Sequence, residues 1–347
     1  MVASSLEKQL AAGLESREVR NIRRFLPPSA DTALVDFSSN DYLSLSKSPE
    51  LRTRFLDKLG SAKQILGSGG SRLLINSSAH ADLEDRLRVF FSRTDAAPQS
   101  GLSSPTTLAL DALLFNSGFD ANVGFFACVP QPGDFIVYDE HVHASVHDGM
   151  RMSRARRIPF KHNSVGDLEK ILLGLQNERP GLVAGNGSVF IAVESLYSMD
   201  GTVSPLADII QIAESVFPSN NAYVSVDEAH STGIYGPDGR GLVNLLGLQH
   251  RVFARLHTFG KALAGTGGEL VHLDTASDTA LKHRIYSCPA CSAVSQAILD
   301  KLRSDVDIHD FPEPREHHLS KLRFRYPGVG TCRRGGNLLL KHIRSVV

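Results

Sequence analysis

Apolar residues recur at two distinct spacings along this chain. In HADLEDRLRVFF, Leu83, Leu87, Phe90 and Phe91 fall three and four residues apart, the spacing that puts side chains on one face of a helix. LADIIQIAESVF repeats that pattern. Short β-rich runs lie between such segments, at residues 135–138, 189–193, 223–226 and 252–256. Helices alternating with strands predict an α/β domain built on a mostly parallel sheet. Ligands bind such sheets where strands end and loops begin. The first 25 residues pattern as an amphipathic helix with Glu7, Glu15 and Glu18 among its polar positions. Residues 94–112, rich in Ser, Pro and Gly, read as a surface loop.

Length and composition narrow the class. A chain of 347 residues is long enough for a sizeable core and for roughly two domains. Lysine plus arginine equals aspartate plus glutamate, so no net field recruits nucleic acid or an anionic membrane. Two local basic clusters, residues 151–157 and 315–325, read as solvated faces, with an anionic-ligand site as the alternative. Four cysteines do not make a disulfide framework in a chain of this length. Cys288 and Cys291 form a C-x-x-C with no second ligand pair, so no metal is expected. The N-terminus has no secretory apolar core, no run approaches 18 apolar residues, and Ser-Val-Val is no peroxisomal address. No membrane span is expected, and the cytoplasm is the expected location.

Chemistry-bearing residues cluster where the predicted strands end. YVSVDEAHSTG ends a run at Asp227, with His230 three residues on. VFARLHTFGKALAG ends the next at Thr258, Gly260 and Lys261. VFIAVESLYSMDG ends at Glu194 and Ser198. One lysine, one aspartate and several hydroxyls are what pyridoxal 5'-phosphate requires: a lysine Schiff base, an acid on the pyridine nitrogen, and donors for the phosphate. LLFNSGFDAN offers the phosphate a helix N-terminus at Asn116-Ser117-Gly118-Phe119, where Gly118 admits close approach of the backbone.

In their order, FSSNDYLSLS, GSGGSRL, LLFNSGFDAN, HVHAS, SLYSMDG, VDEAHSTG and HTFGKALAG resemble the motifs of the α-oxoamine synthases, across roughly residues 20–290. The resemblance implies an aspartate-aminotransferase-like (fold type I) α/β large domain with a mostly parallel sheet, plus an incomplete small C-terminal domain. It divides the chain into an N-terminal helix and substrate-side segment (1–45), a cofactor domain (46–285) and a shortened C-terminal domain (286–347). Lys261 matches the Schiff-base lysine, Asp227 the partner of the pyridinium nitrogen, and His230 the partner of the phenolic oxygen. His143 matches the residue that stacks on the ring. Gly118 and Phe119 match a backbone phosphate contact, and Ser198 and Thr258 match hydroxyl contacts. Asn40 matches a substrate-side residue and Arg23 a substrate-contacting arginine, with Arg24 its neighbouring candidate. GSGGSRL followed by His80 and Leu83-Glu84 is most similar to the branch that joins L-alanine to pimeloyl-CoA in biotin biosynthesis. The product implied is an amino ketone, the catalytic residues Lys261, His143 and Asp227, and the assembly a homodimer whose sites draw on both subunits.

The chain also departs from that pattern. LKHIRSVV resembles the strand before a proline turn, and Val347 comes before the strand whose arginine grips the amino acid's carboxylate in relatives. Residues 304–338 are short and polar for the small domain, and Cys288 stands where relatives usually carry a threonine. Losing a bidentate clamp loosens substrate orientation. Another α-oxoamine synthase or aminotransferase activity, or a truncated non-catalytic homologue acting as a partner subunit, are the alternatives.

Overall fold

The computed structural model describes residues 4–25, 36–62, 78–92 and 110–273. The chain divides into two units, Met1–Phe37 and Ser38–Val347. In the first, α1 (Ser5–Val19) begins with a capping box. The Ser4 hydroxyl accepts from the Glu7 amide at 3.2 Å, and the Glu7 carboxylate accepts from the Ser4 amide at 2.6 Å. Arg23 lies beyond that helix, where it pairs with Glu18 at 2.5 Å and covers the Phe25 ring.

The second unit opens with α2 (Pro49–Ser61) and α3 (Ser78–Ser92). Strands and helices then alternate: β1 (Leu110–Phe115), α4 (Gly118–Cys128), β2 (Phe135–Asp139), α5 (Ala144–Met152), β3 (Arg156–Phe160), α6 (Val165–Glu178), β4 (Val189–Glu194), α7 (Leu206–Val216) and β5 (Ala222–Asp227). The one-turn α8 (Leu242–Leu245), β6 (Ala254–Thr258) and β7 (Gly268–Leu273) complete the described elements. The strands form one sheet in the order β1-β7-β6-β5-β4-β2-β3. β7 runs antiparallel to both neighbours, and every other pairing is parallel. This is the mostly parallel α/β sheet that the alternation predicts.

Helices cover both faces, so successive strand residues enter different cores. Val137, Ile191 and Val224 pack with Leu168 and Leu172 of α6 and Ile209 and Ile210 of α7. Ile136, Phe190 and Ala192 pack oppositely with Phe125 of α4 and Val146 and Met150 of α5. Burying each large aliphatic or aromatic side chain contributes about 1.5–3 kcal/mol. Gly149 allows α5 to press onto α4, since a Cβ there would lie 2.9 Å from Phe126 Cβ and 3.0 Å from the Asn122 carbonyl.

Some boundaries differ from the sequence reading. Leu110, Asp111 and Ala112 belong to β1 rather than to a surface loop, because they pair with Leu273, His272 and Val271 of β7. The run at 252–256 becomes a strand at Ala254–Thr258, carried two residues further by its ladder to β7. The basic stretch 151–157 covers the end of α5 and the outer strand β3, where Arg151 pairs with Asp148 and Arg156 with Glu178. Exposed charge and Pro159 suit a sheet edge. GSGGSRL, residues 93–109, the C-x-x-C pair, residues 315–325 and the whole C-terminal segment lie outside the described residues. Among the described residues, no helix is long and apolar enough to cross a membrane.

Candidate cofactor site

Parallel strands deliver their last residues to one edge of the sheet. β2 ends in Asp139, β4 in Glu194, β5 in Asp227 and β6 in Thr258, and Glu194 pairs in register with Asp227. Lys261 follows β6 by one tight turn.

Asp227 is buried, and both of its oxygens are engaged. The Ala229 amide donates to Oδ1 at 2.9 Å, and Asn122 Nδ2 donates to Oδ2 at 2.8 Å. Asn122 spends its second amide hydrogen on Ser145 Oγ at 2.9 Å, and that hydroxyl lies 2.7 Å from His143 Nδ1. The Ser145 amide also donates to His143 Nδ1, so this nitrogen is an acceptor and a neutral ring carries its proton on Nε2. His143 is exposed at the mouth of the site, yet lost hydration around its ring holds its pKa below the ordinary value. The Asp227 charge opposes that shift and the Lys261 charge adds to it.

A second chain of contacts runs through Lys261. Its Nζ donates to His230 Nε2 at 2.8 Å, His230 Nδ1 lies 2.9 Å from the Tyr42 hydroxyl, and Tyr42 donates to Asn40 Oδ1 at 3.2 Å. One consistent assignment puts the His230 proton on Nδ1, donated to Tyr42. Asn40, His230 and Lys261, far apart in sequence, are thus joined through a tyrosine.

The N-terminus of α4 forms the third part. Ser117 caps it by accepting from the Asp120 amide at 3.1 Å. A Cβ on Gly118 would lie 3.1 Å from Thr258 Cβ, and one on Gly268 only 2.5 Å from the Gly118 nitrogen. Two glycines therefore seat the start of α4 directly against the ends of β6 and β7. Phe119 is 44% exposed and meets the His143 ring edge-on at 6.2 Å. Ser198 is half-buried in the loop after β4.

These groups fit pyridoxal 5'-phosphate. An amine, an acid already fixed by two donors, a neutral imidazole and a glycine-lined helix N-terminus beside a threonine hydroxyl all occupy the same sheet edge. Arg23 belongs to the other unit, where it pairs with Glu18. The sequence reading passed over Asn122, Ser145 and Tyr42. Asn122 stands one helical turn after Gly118 and Ser145 two residues after His143, so both were within reach of pattern reasoning. Tyr42 lies inside FSSNDYLSLS, but nothing local links it to His230.

Glu194 is the other buried acid here. Burial, then the neighbouring Asp227 charge, raises its pKa to about 9, while Lys261 and the His143 amide oppose the shift. Its carboxyl therefore keeps a proton at neutral pH that the unfolded chain releases above about 4.5. The stabilisation is complete below 4.5 and is lost as pH rises towards 9. Glu228, raised to about 7, and Glu269, also raised, act in the same direction. Urea titrations of wild type and Glu194→Gln at pH 7, 8 and 9 isolate the first group. The wild type is expected to lose up to about 1.4 kcal/mol more per pH unit than the variant. Parallel curves would show Glu194 ionised throughout.

Comparison with known proteins places these features in context. Residues 32–330 match the family described as aminotransferase class I and II. The chain is 48% identical over 268 residues to an 8-amino-7-oxononanoate synthase of Emericella nidulans, covering 76% of this chain and 60% of that protein. It is 31% identical over 316 residues to an 8-amino-7-oxononanoate synthase of Lysinibacillus sphaericus, covering 90% of this chain and 71% of that one. Among solved structures, serine palmitoyltransferase of Sphingomonas wittichii shares the fold with a TM-score of 0.68 at 23% identity, over 89% of this chain and 74% of that one.

Proposed function

Since the chain belongs to the aminotransferase class I and II family, within its pyridoxal-phosphate-dependent α-oxoamine synthases, we propose that it joins L-alanine to the acyl group of pimeloyl-CoA. Carbon dioxide and coenzyme A leave, and the product is the amino ketone 8-amino-7-oxononanoate of biotin biosynthesis. The observation that carries the reaction class is Lys261 Nζ held on His230 beside the strand-end acid Asp227. The choice of alanine and a pimeloyl thioester rests on the 48% identity to the Emericella nidulans synthase.

When bound, pyridoxal phosphate acts as an electron sink for negative charge at the amino acid's Cα. Lys261 is the covalent anchor, and its amine, once displaced by substrate, is the base for the Cα proton. Asp227 supplies the negative charge that keeps the cofactor's ring nitrogen protonated. Its two donors hold it for that task before any ligand arrives. His230 orients the cofactor ring, and His143 covers that ring and offers Nε2–H to an oxygen. Gly118, Phe119, Ser198 and Thr258 hold the phosphate end, while Asn40 faces substrate. The exposure of Phe119 at 44% and Met199 at 84% supports a homodimer in which a second copy closes over this edge. A cytoplasmic location completes the reading.

The test supplies the full chain with pyridoxal phosphate, alanine and pimeloyl-CoA and follows products by mass spectrometry. One thiol and one carbon dioxide per amino ketone are expected. A keto acid formed without thiol release would replace this reading with transamination. Cofactor binding with neither product would point to a non-catalytic partner subunit.

A further inference from the structure

A second polar cluster gathers on the same sheet edge, built from the loops after β2, β3 and β4. Asp139, fully buried at the end of β2, accepts from the His141 amide at 2.9 Å and the Asn163 amide at 2.8 Å. It also faces His162 Nδ1 at 2.9 Å. A carboxylate only accepts, so Nδ1 of His162 carries a proton. In a neutral ring Nε2 then presents a lone pair.

That lone pair faces oxygen. Thr202 Oγ1 lies 2.8 Å from Nε2, but its own hydrogen goes to Asp200 Oδ1 at 2.9 Å. Asp200 Oδ2 lies 3.2 Å from Nε2 and 3.7 Å from His141 Nδ1. Nε2, Thr202 Oγ1 and Asp200 Oδ2 thus converge with only the Asn163 amide, 3.1 Å from both Nε2 and Thr202 Oγ1, to donate between them, an arrangement that suits a positive centre. Beside them, the Asn163 amide places Nδ2 at 3.1 Å from Nε2, while its Oδ1 is buried with no partner. Turning that amide end for end presents its oxygen to the same point.

We propose that His141 Nδ1, His162 Nε2 and Asp200 Oδ2 bind a divalent transition metal of the zinc type, with the Asn163 oxygen or water as a fourth ligand. Zinc–nitrogen and zinc–oxygen bonds of about 2.0–2.2 Å set tetrahedral ligand atoms about 3.3 Å apart. The three donor atoms already lie within 4.8 Å of one another. Asp139 on the remote nitrogen of His162 is the carboxylate–histidine support that orients metal-binding imidazoles. His141 now stacks on His162 with centroids 4.2 Å apart, and chelation turns this exposed ring out of the stack. Linear sequence hides the set because each ligand follows a different strand.

The ion would tie three loops together. One of them carries Ser198, and the His162 ring packs edge-on against Tyr197, whose hydroxyl accepts from the Glu194 amide. The role is structural support for the cofactor edge.

The test titrates zinc chloride and cobalt chloride into full-length, untagged protein by calorimetry and visible absorption, without pyridoxal phosphate. One equivalent should bind, with cobalt giving tetrahedral ligand-field bands and zinc raising the unfolding midpoint. His141→Ala and Asp200→Asn should each weaken binding at least ~10-fold and remove the midpoint shift. His141 is exposed, so its loss leaves the fold intact. The absence of stoichiometric binding, or equal affinity in both variants, would overturn the site. So would nitrogen NMR showing His162 doubly protonated at neutral pH and undisturbed by zinc, since a proton would then occupy the place given to the metal.

Discussion

Lys261→Ala is expected to lower turnover by at least ~10⁴-fold and to end covalent attachment of pyridoxal phosphate. Borohydride followed by peptide mass spectrometry reads the attachment, and a cofactor still locked onto this chain would end the assignment of Lys261. The fold should tolerate the change, because the side chain is only half-buried and His230 keeps its contact to Tyr42. Electrostatic consequences follow with definite signs. The Lys261 charge lowers the pKa of both His143 and Glu194, so its removal raises both. Small primary amines should restore part of the turnover, increasingly with amine basicity, since they replace a base rather than a packing group. Absence of any rescue together with intact cofactor binding would assign proton transfer elsewhere.

Asp227→Ala is expected to cost at least ~10³-fold in turnover and to weaken cofactor binding. It strips the acceptor from two buried donors, Asn122 Nδ2 and the Ala229 amide, each an unsatisfied group costing about 1–3 kcal/mol. Asp227→Asn separates charge from shape. Both carboxylate oxygens face donors, so an asparagine must turn its own NH₂ towards one of them. Its stability should lie between those of wild type and the alanine variant, with turnover lost in both. Wild-type cofactor affinity and turnover in Asp227→Asn, read by absorption titration and thiol release, would show that the charge is not needed. Removing Asp227 also lowers the pKa of Glu194, whose carboxyl the aspartate holds up. Residual activity that grows with pH would identify Glu194 as a substitute anion.

Much of this site was legible because its parts sit at ends of regular elements. A β-rich run closing on Asp227 forecast a strand that ends in a carboxylate, and parallel pairing then placed Glu194 and Thr258 on the same edge. The glycine at the start of α4 was legible for a similar reason. What escaped were links that no local pattern encodes. Asn122 joins Asp227 to Ser145 through both hydrogens of one amide, which depends on how α4 packs on α5. Tyr42 reaches His230 across 188 residues. Strand ends at β1 and β6 were misjudged because their limits are set by the partner strand β7, whose antiparallel course the alternation of elements did not indicate.

That reversed strand also sets the timing of assembly. β1 and β7 are separated by about 160 residues, so closing their ladder carries a large loop-entropy cost and comes late in folding. Gly268, the first residue of β7, is the one pressed against Gly118. A growing chain can therefore display Asp227, His230 and Lys261 and still lack a seat for phosphate. Cofactor capture during synthesis would report the insertion of β7, and a ligand present early would favour the register that completes it.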